Sequence, residues 1–493
     1  MTTISPLFYL TLLPIAGALL IMFGAPARLT ARLASVCGLA MLLFVVFRYD
    51  LVAGGYQLVS GFDVLPEIGL SLSFGADGLS LAMLFLATVV SVAAVWVIPP
   101  MKEREHLFYV CVLLISAGVI GAFSSMDLLF FYAFHEIALI PTFLLIGIWG
   151  SGDRQTAAWK ATIYLGLGSF VLLLGIMGLY LSEPMGGRTF DIPSIQEMAK
   201  AGAIDAPDWV YLLLLFGFGT LVSLFPFHSW APQAYASAPP SASMLHAGVL
   251  KKFGLYGLIR VVVPVFPEAI QTYLNLLLVL LACNILYVGL VTITQKRLDW
   301  TLGYSSVMHM GYIFLGIAGL NELSLSGAAL LMVAHGLSIA ALFALCGVVR
   351  ERTGTLEYEE LGGLGKSMPK LGLLFGFAAM ASVGLPGFAN FPGELLVFFG
   401  AFGAGELPVG GCPINPYQMT TVIAVWGVVI SAVYMLRAYR KVFFGTMPER
   451  WKGLADIQPV TRYATVLLII AMMIIGFYPQ FLLRFITPSI LLP

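Results

Sequence analysis

A chain of 493 residues that is 60% hydrophobic and only 10% charged is not an ordinary soluble domain, which would be roughly 25% charged. Its formal net charge is zero and no run of five or more basic residues occurs, which argues against nucleic acid or other polyanions as partners. The five cysteines, Cys37, Cys111, Cys283, Cys346 and Cys412, form no C-x-x-C pair and no cluster able to hold zinc or an iron–sulfur centre, so redox chemistry belongs elsewhere.

The predicted elements are apolar segments, each long enough to cross about 30 Å of hydrocarbon at the helical rise of about 1.5 Å per residue. They lie near 4–24, 32–48, 78–99, 107–123, 128–149, 158–181, 208–226, 242–263, 271–293, 300–320, 323–348, 371–402, 418–442 and 462–486. The first lacks a basic leader and a small-residue cleavage site, and reads as a spanning helix rather than a signal peptide. The expectation is an all-α polytopic membrane protein of about fourteen transmembrane helices, multi-pass, with both termini on one side.

Basic residues test that layout. Setting aside Lys251 and Lys252, which fall inside a span, eighteen Lys and Arg sit in the loops after odd-numbered spans, against five on the other side: Arg48, Arg188, Lys200, Arg260 and Arg484. By the positive-inside rule the odd loops are cytoplasmic, which puts both termini on the external, periplasmic side of the cell (inner) membrane.

Two spans carry proline where a helix cannot continue. The seventh runs into Phe225-Pro226-Phe227-His228-Ser229-Trp230-Ala231-Pro232, and the twelfth contains Gly384-Leu385-Pro386-Gly387 and then Phe391-Pro392-Gly393-Glu394. Both are expected to break at membrane depth. If spans 4–8 and 9–13 are two five-helix units, each break falls in the fourth helix of its unit. Matching interruptions point to inverted repeats with a path at the midplane, although broken helices also arise from packing alone.

Three ionisable groups lie deep in these spans. Glu136 is nine residues beyond Asp127, about 13 Å into the fifth span. Lys252 is similarly deep in the eighth, and Glu394 follows the break in the twelfth. An ionised group at the bilayer centre costs on the order of 3 kcal/mol or more, so each must face the bundle interior or water. A buried structural ion pair is the alternative reading of each. A desolvated lysine releases its proton readily, so Lys252 suits a relay. Lys251 is about 100° around the helix from it, so the two cannot face the same channel. His228, His246, His309 and His335 lie within or at the ends of spans. Each alone is more commonly a hydrogen-bonded structural histidine, but four in one bundle can join the carboxylates and the lysine into a polar axis. His135 is expected on another face than Glu136, and His106 lies in a loop.

Gly362-Gly363-Leu364-Gly365-Lys366-Ser367 ends like a phosphate-binding loop, but Glu360 stands where the first glycine is required and no strand precedes it. No G-x-G-x-x-G opens a helix after a strand, so NADH and flavin are not expected on this chain.

From about Phe130 to Arg440 the sequence resembles the antiporter-like subunits of respiratory complex I, and among them subunit M. The resemblance rests on Phe134-His135-Glu136 through Ile146-Gly147-Ile148-Trp149-Gly150, then Pro226-Phe227-His228-Ser229-Trp230-Ala231-Pro232. It continues with Leu245-His246-Ala247-Gly248-Val249-Leu250-Lys251-Lys252 and Tyr256-Gly257-Leu258-Ile259-Arg260, then Tyr304 to Gly311, Ala334-His335-Gly336-Leu337-Ser338 and Gly393-Glu394. It implies fourteen helices: an N-terminal group at 1–106, a first repeat at 107–263, a second, inverted repeat at 271–442, and a last helix within 443–493.

It further implies proton translocation through this subunit, a non-redox part of an NADH:quinone oxidoreductase, driven by electron transfer in other subunits that carry the NADH, flavin, iron–sulfur and quinone sites. The partners would be other membrane subunits, further antiporter-like ones included, with the lipid bilayer and protons. Glu136 matches the fifth-helix carboxylate of the family, Lys252 the central relay lysine, Glu394 the terminal acidic group and Lys160 a lysine on the cytoplasmic uptake side; the membrane histidines match its polar axis.

One position departs from that pattern. The family pairs its fifth-helix glutamate with a lysine seven residues before the seventh-helix histidine, and here that residue is Leu221. Either Lys160 or Lys251 substitutes, or this half-channel works differently or not at all. Other readings are a subunit of a multisubunit cation/proton antiporter or of a membrane-bound hydrogenase, and a stand-alone secondary transporter. The last would need a pocket of converging polar groups rather than single charges on successive helices.

Overall fold

The computed structural model describes residues 4–101, 103–184, 186–405 and 414–492. The structure opens with α1 (Pro6–Met22) and α2 (Ala27–Arg48), followed by a two-stranded antiparallel hairpin, β1 (Gln57–Leu65) and β2 (Leu70–Ala76). Gly69, at φ 67°, takes the left-handed turn position between them. The span pattern did not anticipate the hairpin, because its segments are too short and too mixed to cross a bilayer. Next come α3 (Gly78–Trp96), α4 (Glu105–Ser124), α5 (Leu128–Trp149), α6 (Arg154–Leu181), a short helix α7 (Ile192–Lys200) and α8 (Asp208–Val222). Side chains fix several starts: Asp77 accepts from Ser80 N (2.9 Å), Asp127 from Leu129 N and Phe130 N (2.9 and 3.0 Å), and Asp153 from Thr156 N (3.3 Å).

The seventh span breaks as its prolines require: α8 ends at Val222 and α9 (Trp230–Ser237) resumes after seven residues. The eighth is α10 (Pro240–Leu245), a π-turn over His246–Leu250, α11 (Lys252–Gly257), a second π-turn over Leu258–Val262 and α12 (Val263–Val265). Then follow α13 (Pro267–Thr272), α14 (Leu274–Thr294), α15 (Leu298–Ala318) and α16 (Glu322–Thr353). The twelfth span divides into α17 (Pro369–Val383) and α18 (Asn390–Phe402), and α19 (Pro416–Phe443) is the thirteenth. The fourteenth, expected unbroken over 462–486, stops at the end of α20 (Pro459–Phe477) and restarts as α21 (Gln480–Ile486). Pro479 lies between them and has no amide hydrogen for the ladder. Cys412 lies outside the described residues.

The bundle is built around α3 and α16, which are apolar on all sides and buried among other helices. Helices α5, α6, α14 and α19 keep apolar side chains such as Ile140, Phe170, Leu290 and Trp426 exposed, which is stable only against lipid or other subunits. Pairings recur along the chain: α4 packs on α5 and α6 on α8, as α14 packs on α15 and α16 on α18. A unit of five spans is odd, so the second set crosses in the opposite sense to the first.

Candidate functional site

The eighth and eleventh spans meet at two glycines. The α-carbons of Gly248 and Gly336 lie so near each other's backbone that a Cβ on Gly248 would sit 3.1 Å from the Gly336 carbonyl oxygen. That approach carries Lys252 onto α16, where its Nζ lies 2.9 Å from His335 Nδ1. The same ammonium donates to the Ala247 carbonyl oxygen at 2.6 Å, in the stretch where the π-turn interrupts the regular ladder. Lys252 is wholly buried, and among the described residues no carboxylate forms an ion pair with it.

His335 continues to His309 on α15, ring centre to ring centre 5.4 Å. His309 Nδ1 is 2.8 Å from the Ser305 carbonyl oxygen and Nε2 3.0 Å from that of Ser382. Carbonyl oxygens only accept, so a neutral ring can satisfy one of them and a protonated ring both. Ser382 is in the last turn of α17, just before the break, so the histidine takes up one of the carbonyls that the interrupted helix frees. At the break Gly384 is left-handed (φ 82°), and its α-carbon abuts the Glu394 carboxylate with no room for a Cβ. Glu394 is buried near Tyr312 and Tyr434. Between and around these groups lie buried polar atoms without a protein partner: His335 Nε2, Tyr312 OH and both side-chain polar atoms of Asn390. Such groups are ordinarily satisfied by water.

The first half is arranged differently. His246, opening the π-turn, has Nδ1 3.3 Å from the Tyr235 hydroxyl and Nε2 unpartnered. Lys251 points away from Lys252, as the helical angle requires: its Nζ is 3.4 and 3.5 Å from the Ser306 carbonyl and hydroxyl oxygens, over the Tyr235 ring. His228 sits in the segment between α8 and α9, stacked on Phe225. Asn284 of α14 closes that break, accepting from Phe225 N (2.7 Å) and donating to the carbonyls of Ser223 and Val307 (3.1 Å each).

Glu136 borders an apolar cavity of about 250 Å³ between α5 and α6, its side chain 35% exposed. Neither lysine suggested as a substitute partner contacts it. Lys160 lies in the second turn of α6 beside a separate surface groove with Trp159 and Tyr164, apart from the buried line. The Glu136 carboxylate instead accepts from Ser169 Oγ (2.5 Å), and His135 Nδ1 is 3.4 Å away. The sequence reading had set His135 aside; its backbone position is on the buried face, but the ring reaches back to its neighbour. Leu221 is buried against α6 near Gly168, one residue from Ser169, so an apolar side chain fills the expected lysine position.

Two further charge clusters escaped the sequence reading. Arg260, assigned there to an external loop, is buried in the eighth span and paired with Asp77, between the rings of Tyr56 and Tyr256 at 5.1 and 5.3 Å. On the opposite, odd-loop side Asp299 accepts from Arg297 (2.9 Å) and Arg350 (2.6 Å), and Arg350 also donates to Ser151 Oγ and the Ala236 carbonyl. The usable signal was a lone Asp at the mouth of a span with a lone Arg inside another. Among the described residues, no group of three or more His, Cys, Asp or Glu could hold a metal ion.

A fourteen-span bundle with its seventh and twelfth helices interrupted and a line of lysine and histidine between them defines a polytopic membrane subunit of the antiporter-like class. Residues 125–409 match the family described as NADH:quinone oxidoreductase/Mrp antiporter, TM. The chain is 36% identical over 484 residues to NAD(P)H-quinone oxidoreductase chain 4 1 of Synechococcus elongatus, covering 95% of this chain and 87% of that one. It is 33% identical over 475 residues to NAD(P)H-quinone oxidoreductase chain 4 of Gloeobacter violaceus, covering 95% and 89%. The fold matches a chain of respiratory complex I from Thermus thermophilus with bound NADH, with a TM-score of 0.87, 28% identity and 98% of each chain covered. A chain of the Mrp complex from Dietzia shares the fold at a TM-score of 0.83 and 21% identity, with 99% and 97% covered. This chain belongs to the NADH:quinone oxidoreductase/Mrp antiporter membrane family, on the subunit-M branch of its quinone-oxidoreductase side.

Proposed function

We propose that the chain is a proton-translocating membrane subunit of a multisubunit NADH:quinone oxidoreductase, and that protons cross it along the buried groups between Glu136 and Glu394. The observation that carries this reading is the contact of Lys252 with His335 at 2.9 Å, continued to His309, with no carboxylate among the described residues to lock the lysine. A lysine held in low dielectric against a neutral base can pass a proton with a small rearrangement, and reload when a nearby charge shifts. Glu394, behind the break in the twelfth span, is the terminal acid of the line. Lys160 is a collecting group at the cytoplasmic surface, and His228, His246 and Lys251 belong to the first half-channel.

In this reading residues 107–263 and 271–442 are the two half-channels, preceded by the three helices of 1–106 and closed by the segment 443–493. The chain lies in the cell membrane with both termini outside, beside other antiporter-like subunits, and carries no redox centre of its own; NADH, flavin, iron–sulfur clusters and quinone belong to partner subunits. The cation/proton antiporter reading shares the fold, but the sequence relatives at 33–36% identity are quinone-oxidoreductase chains, which favours the first.

The test is Lys252→Ala in the assembled complex, reconstituted in liposomes. The proton-to-electron ratio is expected to fall while the subunit still assembles, since an apolar replacement adds no buried charge. An unchanged ratio removes Lys252 from the path.

A further inference from the structure

We propose that His135 is a proton-transfer residue of the first half-channel, the titratable partner of Glu136 and its link to His246. This rests on the translocation reading above and extends it to a residue that reading leaves out.

Glu136 lies at membrane depth in an apolar surround, where a carboxylate needs a partner able to take up charge. Among the described residues it forms no contact with lysine or arginine, and the position across α6 from it is filled by Leu221. Its two polar neighbours are Ser169, a hydroxyl that donates a hydrogen bond but holds no mobile proton near neutral pH, and His135. Of the two side-chain types, imidazole is the one that can both accept and release a proton.

The ring is held for that purpose. It is buried, stacked on Phe253 of α11 with centres 4.3 Å apart and planes 27° apart, and it directs Nδ1 at Glu136. Helix α5 packs on the π-turn that carries His246. Tyr132 is a further titratable group on α5, and His246 is the one on the π-turn packed against it. The His246 ring has its Nε2 buried without a protein partner. His135 therefore stands between a carboxylate open to the α5–α6 cavity and the packed element that carries His246 and leads to Lys251 and Lys252. A proton taken up at Glu136 passes to Nδ1, the ring releases one from Nε2 toward His246, and charge is conserved at each transfer.

Two variants separate the proton from the contacts. His135→Gln keeps a donor beside Glu136 but carries no exchangeable proton at neutral pH, and His135→Phe keeps the stacking on Phe253. In the whole complex in liposomes, both are expected to lower the proton-to-electron ratio as Lys252→Ala does. Adding Leu221→Lys to His135→Phe is expected to restore it, which a purely structural role for the ring does not predict. Full pumping by either single variant overturns the inference. If Lys252→Ala lowers the ratio and the His135 variants do not, His135 alone is excluded; if none lowers it, the translocation path itself is wrong. Should His135→Phe fail to assemble, the Gln variant decides.

Discussion

Charged side chains inside this bundle fall into two kinds. Arg260 with Asp77, and Arg350 and Arg297 with Asp299, are matched with short contacts and extra hydrogen bonds, so they hold helices together near the two ends of the bundle. Among the described residues Lys252, His335 and His309 form no ion pair with a carboxylate, which is what the proposed proton path requires of them. Removing one partner of a buried matched pair strands the other, at about 3–5 kcal/mol. Asp77→Asn is thus expected to lower the thermal stability and yield of the complex sharply, read by thermal unfolding of the purified assembly, whereas Lys252→Ala is not. Glu183, in the loop after α6, offers a pH test outside the membrane. Burial pushes its carboxyl up to about 7, against one hydrogen bond from Thr189 N. The folded state therefore holds the proton more tightly than the unfolded chain, and stability falls as pH rises from about 4.5 through 7. Glu183→Gln keeps the neutral form, so it should raise the melting temperature at pH 8 and leave it unchanged at pH 5; an equal effect at both excludes the titration.

The interrupted helices are closed by side chains from neighbouring elements. Asn284 bonds the open end of α8, and His309 the last turn of α17. The two closures differ in kind: an amide has no charge to carry, and an imidazole has. Asn284→Ala would leave Phe225 N and the Ser223 carbonyl unmatched at membrane depth, about 1–3 kcal/mol for each group. The expected result is faster amide hydrogen exchange around 219–230 with the break of the twelfth span, between Val383 and Asn390, unaffected; unchanged exchange around 219–230 would show that the seventh-span break closes itself. The π-turns of the eighth span do a related job, since one sets the Ala247 carbonyl in reach of Lys252. Prolines announced both breaks and the charges announced the candidate residues. The π-turns and Asn284 carried no such mark, because each is a response to what a neighbouring helix presents.

At the scale of the molecule, the loop charges predict one orientation, with the segments after odd spans on the cytoplasmic face. Cysteines placed at exposed Lys200 and exposed Lys452 should react from opposite sides with a membrane-impermeant maleimide, the first from outside and the second from inside. Labelling of both from one face would refute the topology. The exposed apolar faces of α5, α6 and α19 belong to lipid or to neighbouring subunits, and Glu136 opens onto one of them.

The sequence alone determined the solvent, the span count, the breaks in the seventh and twelfth spans and the deep charges, because each follows from local quantities: the length of an apolar run, proline's missing amide hydrogen and the cost of charge in hydrocarbon. It placed Arg260 in a loop and set His135 aside because periodicity along one helix says nothing about what the next helix offers. Tertiary structure decided the partners. Lys252 meets His335 because two glycines let backbones touch, Glu136 meets Ser169 across the packed fifth and sixth spans, and Arg260 meets Asp77 because the third and eighth spans converge. Those contacts depend on distances between residues tens to hundreds of positions apart, which only the packed bundle brings within reach of a hydrogen bond.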